Sequence, residues 1–381
     1  MDEAVRSETR VSAAPLEVRQ GVCYAFFAYE VGRSIDLDRA EAGVTALKER
    51  VTIRHKRRAP SYFEYRPAPL RVIQDIEPLV VGSKRTLPSV DLLLYDFGAL
   101  SVSYRIPLGG PFSDLLALSE SLYENSVLLA DSRRRVEQLV AGIHPAVMRA
   151  SLADFVETYF VFEIASLNPP VPLPDLFASH ARVLAQVLRS ERTPLSDQEV
   201  SDALAFRISF SPDDLALIDW DAALLFDRDP DDVRDVLEFA NVELLEMRFV
   251  DQQLDDALDE AYEALSRITW RRFWLPRSGA ELRRIGSLQV DSAVLFEGVN
   301  NALKLLGDQY LARVYRLVSE RFHLAEWDGS ILRKLETLES IYQKMSNFAA
   351  TRRMEVLEWI IIALIAVSIV LPFFASSPSG H

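Results

Sequence analysis

The end of the chain sets the hardest constraint on its fold. From Trp359 the sequence reads WIIIALIAVSIVLPFFA, 17 residues without a charge and with Ser368 as the one polar side chain. A helix that is apolar on every side must be surrounded by lipid or by protein. At 1.5 Å per residue the run rises about 26 Å, close to a ~30 Å hydrocarbon core, and Val356 and Leu357 can lengthen it. Lys344, Arg352 and Arg353 flank its near side, the residues after Ala375 carry no Lys or Arg, and Trp359 suits the headgroup level. The pattern predicts one C-terminal transmembrane helix over 356–375, anchored by Trp359, Ile360, Ile361, Ile362, Leu364, Ile365, Val367, Ile369, Val370 and Leu371. Lipid bilayer is then a partner, and the N-terminal bulk lies in the cytoplasm beneath a bacterial inner membrane. The alternative is a buried core helix or a tail that closes an oligomer.

Upstream of that run the pattern divides near Asp229. Strand-like stretches fall at 21–30, 50–56, 70–81, 90–104, 154–167 and 203–210, with 90–105 read as two strands joined at Asp96–Gly98. The clearest alternation sets Val156, Thr158, Phe160, Phe162 and Ile164 against Glu157, Tyr159 and Glu163. Helical stretches fall at 36–47, 111–130, 133–143 and 175–188. The fold class expected is α+β: a mixed strand/helix domain over 20–228 behind a flexible tail (1–19), then a long antiparallel helical bundle or coiled-coil stalk over 229–355. Pro230 suits the first position of a helix that Asp229 caps. Ala240, Leu244, Met247, Asp251, Leu254, Leu258, Ala261 and Leu265 step by four and three, a coiled-coil seam interrupted by Asp251. A second stripe runs through Phe296, Val299, Leu303, Leu306, Tyr310, Val314 and Leu317. A third runs through Ile331, Leu335, Leu338, Tyr342, Met345 and Ala349. Such stripes serve a core within the chain or a homo-oligomer.

The net charge of −14 is concentrated: residues 191–263 hold 22 Asp or Glu against 5 Arg, leaving the remainder slightly basic. This argues against broad nonspecific binding to nucleic acid or anionic membrane and confines such contacts to local patches. One cysteine, Cys23, excludes an intrachain disulfide and suits a buried structural thiol in a reducing compartment. The first twenty residues have neither a secretory nor a transit pattern.

Chemistry-bearing motifs are sparse. The five histidines are scattered, no phosphate-cradling glycine loop occurs, and no metal, cofactor or catalytic residues are expected. Asp227, Asp229, Asp231, Asp235 and Glu238 match a calcium-loop spacing, but Pro230 and Asp232 stand where that loop needs freedom, so an acid-rich helix N-terminus is the better reading. Arg54, Lys56, Arg57 and Arg58, beside His55 and leading to Tyr62, Phe63 and Tyr65, form a candidate anion-binding cluster. Trp270, Arg271, Arg272, Phe273 and Trp274 sit in the turn between the first two long helices and are candidates for an interfacial foothold on the membrane.

The segments LEFANVELLEMRFVDQQLDDALDEAYEAL (237–265), VNNALKLLGDQYLARVY (299–315) and RRMEVLEWIIIALIAVSIVL (352–371), with LYDFGALSV (94–102) similar as far as Gly98, resemble the family named "required for meiotic nuclear division". The resemblance implies a C-terminally anchored, oligomeric membrane protein linked to translation, and it implies no catalytic residues. The expected function is therefore a membrane-tethered scaffold that binds a cytoplasmic protein partner, not an enzyme. A regulatory module that holds an anion or nucleotide, or an enzyme in the α+β domain, is the alternative. A concave pocket with converging polar groups in 20–228 would favour that alternative.

Overall fold

The computed structural model describes residues 16–44, 46–50, 67–270, 286 and 309–375. The described residues fall into two compact units, the first drawn from 1–249 with 297–326 and the second from 250–296 with 327–381. Helix Asp231–Trp270 contributes to both.

The first unit is α+β. Its sheet has nine strands in the order β11 (Arg207–Ile208), β12 (Leu215–Ile218), β13 (Ala222–Phe226), β10 (Glu157–Asn168), β1 (Glu17–Glu30), β8 (Ala99–Pro111), β7 (Ser89–Leu94), β4 (Leu70–Asp75) and β3 (Leu47–Arg50). All neighbours pair antiparallel except β10 and β13, whose parallel register matches Phe160 with Ala222. Small pairs β2 (Ser34–Ile35) with β9 (Val147–Met148), and β5 (Val80–Val81) with β6 (Lys84–Arg85), lie beside it.

Both faces of the central strands are covered, which is why β1 is buried without a break from Ala25 to Glu30. On one face Phe27, Tyr29, Val102, Tyr104, Phe160 and Phe162 join a core that includes α2 (Asp114–Leu122), α3 (Ser126–Gly142), α4 (Leu173–Arg189) and the end of α5 (Asp197–Ala203). Short α1 (Leu37–Gly43), capped by Asp36, adds Leu37 and Ala40. On the other face Ala28, Leu93, Tyr95 and Ala99 meet Val242 and Leu245 of α6 (Asp231–Trp270), with Phe97, Phe155 and Phe239 around them. The alternation seen in β10 thus separates two buried faces: Phe160, Phe162 and Ile164 enter the larger core, while Glu157 and Glu163 lie under α6.

Several local expectations change. The stretch 111–130 forms two helices, because Glu124 takes a left-handed φ of 50° and the Asn125 side chain caps α3 by accepting from Leu128 N at 2.9 Å. The strand expected at 203–210 shrinks to two residues, because Ser196 caps a short helix by accepting from Glu199 N. Strands β12 and β13 fall in a stretch where no strand was expected.

In the second unit, α6 from Val250 onward and α8 (Leu324–Ala375) from Trp327 onward bury Leu254, Ala257, Ala261, Ile331, Leu338, Ile341 and Met345. Asp251, the break in the seam, is paired there: Lys334 Nζ lies 2.7 Å from it and 2.7 Å from Asp255. Helix α7 (Gln309–Arg321) belongs to the first unit, with Leu311, Val314 and Val318 buried.

The transmembrane helix expected over 356–375 is corrected. Among the described residues no helix is long and apolar enough to cross a membrane. Along α8 the apolar residues from Trp359 onward continue a helix that begins at Leu324. The rest of α8 before them is an amphipathic helix with buried Ile331, Leu338 and Met345 and a paired Lys334. The single-pass anchor, and with it the inner-membrane localisation, are therefore not retained.

Candidate functional site: a carboxylate-lined cleft

A cavity of about 540 Å³ opens in the first unit where β10 begins. Four segments build it. The α2–α3 turn supplies Tyr123, Glu124 and Asn125. The start of β10 supplies Glu157 and Thr158. The β12–β13 hairpin supplies Trp220 and Asp221, and α6 supplies Asn241, Leu244 and Arg248.

Each segment is held by identifiable contacts. Asn125 caps α3 and its Nδ2 donates to Ser121 O at 2.6 Å, which fixes the turn that carries Tyr123. The hairpin is pinned by Asp219, which is wholly buried: its N–H donates to Ala222 O at 2.9 Å, and its carboxylate receives Arg321 and lies 2.6 Å from Arg189 Nε. Its Oδ1 also accepts from Trp220 N at 2.8 Å, and the Trp220 ring packs edge-on against Phe322. Asn241 is buried and its Nδ2 reaches Glu157 O at 3.5 Å.

The electrostatics of the cleft are negative. Glu124, Glu157 and Asp221 face one cation, Arg248, whose guanidinium is engaged by Glu157. Burial pushes the Glu157 carboxyl up to about 7, with Arg248 opposing the shift and Asp221 adding to it. Burial also raises Asp221, helped by the charge of Asp219 and opposed by Arg189. Among the described residues the Asp221 side chain has no hydrogen-bond or ion-pair partner. Trp220 and Tyr123 remain 41% and 52% exposed, so an apolar ring surface is open to a ligand beside the carboxylates.

The cleft continues a line of carboxyls under α6. Ser101 Oγ donates to Glu238 at 2.7 Å, and burial lifts Glu238 to about 7. Arg234 pairs with Glu163, also lifted to about 7 by burial. Glu30 and Glu246 are both almost without exposure, and burial together with the charge of Glu246 raises Glu30.

None of the candidate site residues named from the sequence lines this cleft, although the alternating strand 156–160 and Leu244 of the seam do. Arg54, Lys56, Arg57 and Arg58 lie outside the described residues, as do Arg271, Arg272, Phe273 and Trp274; Trp270 is the last residue of α6. The anchor residues Trp359 through Val367 are exposed along α8. The calcium-loop spacing resolves into a helix start: Asp231 and Asp232 open α6, Asp235 lies beside Arg234, and Glu238 bonds Ser101. Among the described residues no group of three His, Cys, Asp or Glu is placed to hold a metal. Cys23 is buried, and burial pushes its thiol up, as befits a structural role. The missed signal was the Asp-Trp-Asp triplet at 219–221, an exposed aromatic between two acids inside an apolar stretch.

Fold and site together define a two-unit protein: an α+β unit with a nine-stranded mixed sheet and an open acidic cleft, followed by a helical part. The chain belongs to the family described as "Uncharacterized protein MJ0711, N-terminal domain", whose model matches residues 20–232. It is 24% identical over 220 residues to the uncharacterized protein MJ0711 of Methanocaldococcus jannaschii, a match covering 57% of this chain and 66% of that protein, just under two thirds of its length. No solved structure matches. The resemblance to the "required for meiotic nuclear division" family is thereby corrected. Its motifs lay mainly in 237–371, where heptad-spaced apolar residues recur in unrelated helices, whereas the family match lies in the sheet-forming segment. The matched segment contains the turn, strand and hairpin of the cleft, and its α6 wall lies beyond it.

Proposed function

We propose that this protein is a ligand-binding interaction module, with the α+β unit holding a small molecule in the cleft and the helical part serving assembly. The observation that carries the reading is the Asp221 carboxylate, unpartnered among the described residues and set beside exposed rings in a cavity of about 540 Å³, a volume suited to a small ligand. We read binding in preference to turnover because the described lining offers carboxylates, amides and one engaged arginine, without a histidine or cysteine beside its hydroxyls. Ser126 is exposed on the rim at the first turn of α3, where a Trp can block entry without entering the core. Thermal denaturation of the full chain and of Ser126→Trp with a panel of metabolites, nucleotides and inorganic anions is the test. A compound that raises the Tm of the parent and not of the variant supports the reading. Equal responses across the whole panel overturn it.

The assembly half of the proposal takes up the long helices as an antiparallel bundle completed by a second copy of this chain. It rests on exposed apolar side chains of α8, among them Leu357, Ile361, Leu364 and Ile365, each more than half exposed. Sedimentation equilibrium of the full chain beside one ending at Ala350 is expected to show self-association lost on truncation. A monomeric full chain removes this half.

A further inference from the structure

Resting on the binding-module reading, the geometry points to an organic cation as the ligand: a protonated amine or guanidinium carried on an apolar body, with its charge against Asp221 and Glu157 and its body against Trp220 and Tyr123. Three observations converge on that chemistry.

The first is the charge count. Glu124, Glu157 and Asp221 outnumber Arg248, and Arg248 is already spent on Glu157. An anion entering the cleft meets an excess of carboxylates, and the single cation of the described lining, Arg248, is engaged by Glu157 through Nη1. A cation meets a carboxylate without a partner. The surrounding segment 191–263 deepens the field, with 22 acids against 5 arginines.

The second is the ring surface. Trp220 and Tyr123 come from different segments, the β12–β13 hairpin and the α2–α3 turn, and both present exposed aromatic area to the cavity. Indole and phenol faces attract cations and pack against apolar carbon, so one ligand with a charged head and an apolar body satisfies both features. Trp220 is a built feature, since its ring is braced by Phe322 and its backbone by Asp219.

The third is proton occupancy. Burial raises both Glu157 and Asp221, so the cleft favours their neutral forms more than water does. A bound cation favours the ionised forms and expels those protons, so affinity for a cation rises with pH while affinity for a neutral ligand does not. A metal ion fits less well, because no three ligating side chains come together there among the described residues.

Three probes of one shape separate the possibilities: 4-phenylbutylamine, 4-phenylbutanol and 4-phenylbutyrate, positive, neutral and negative. Titration calorimetry with the full chain is expected to rank the amine tightest, by about tenfold over the alcohol. Asp221→Asn should bring the amine to the level of the alcohol and leave the alcohol unchanged. Lowering the pH from about 8 to about 5.5 should weaken the amine alone. An alcohol or carboxylate that binds as tightly as the amine overturns the inference, as does an amine that does not bind or is indifferent to Asp221→Asn. If such a neutral or anionic probe is lost in Ser126→Trp, the cation falls while the binding-module reading stands. That reading falls separately, when nothing in the wider panel distinguishes Ser126→Trp from the parent.

Discussion

Asp219 and Asp221 stand two residues apart in one hairpin and do opposite things. Asp219 is wholly buried between Arg321 and Arg189 and holds the hairpin against α7 and α4; Asp221 lines the cleft. Asp219→Ala removes the buried acceptor shared by Arg321 and Arg189, which keep the half-exposed Asp202, and losing such a charged hydrogen-bond partner costs about 1–3 kcal/mol. Urea denaturation should show a loss of that size with an unchanged slope. Asp221→Asn removes no contact seen among the described residues and should leave the unfolding free energy within about 0.5 kcal/mol of the parent. Gly98 is the other single position that the fold depends on. Its φ is 111°, and a Cβ there would lie 1.8 Å from the Gly32 carbonyl oxygen. Gly98→Ala must therefore both strain the turn between β7 and β8 and push apart two backbone segments, and we expect a loss of more than about 2 kcal/mol in the same denaturation.

At the scale of elements, α6 shows how a helix that looks solvent-facing in places becomes an inner wall. Its stripe of Ala240, Leu244 and Met247 is buried as its spacing implies, yet Glu238, Asn241, Glu243 and Glu246 are buried too. Three of them meet a partner: Ser101 donates to Glu238, Asn241 reaches Glu157 O, and Tyr315 of α7 donates to Glu243 at 2.6 Å, while burial raises Glu246. The heptad seam and, to within a residue, the start of α6 were legible in the sequence, since apolar spacing is a local signal; the helix opens at Asp231, one residue after the Pro230 start expected. The buried acids were not, because an acidic helix face reads as solvated unless the surface opposite is known. The same limit hid the cleft, whose lining comes from four segments far apart in the chain. The α2–α3 turn offers a separate test of its construction. Asn125→Ala removes the cap of α3 and should cost about 1 kcal/mol in thermal or urea denaturation. It should also weaken any cleft ligand, because Tyr123 and Glu124 ride on that turn.

For the molecule as a whole, the carboxyls under α6 set the pH dependence. Glu157, Glu163, Glu238 and Glu246 are each lifted to about 7 by burial from an ordinary 4.5. The folded state therefore binds more protons than the unfolded state between those values, and stability falls as pH rises through that window. Tm is expected to be higher near pH 5.5 than near pH 8, by several degrees; equal values, or the reverse order, would contradict the buried carboxyl line. Carboxyls held below their usual range, such as Asp131 beside Arg135 and Tyr104, act in the opposite sense only in stronger acid. The sequence alone determined the α+β class, the division near Asp229 into strand-rich and helical parts, and the strand pair joined at Asp96–Gly98, because alternation, heptad spacing, caps and turn residues act within a few positions of one another. Tertiary structure decided which polar faces are buried, the hairpin 215–226, and the meeting of Tyr123, Glu157, Trp220, Asp221 and Arg248 in one cleft. Those outcomes depend on the strand order and on the side of the sheet that α6 covers, and no local pattern in the chain encodes either.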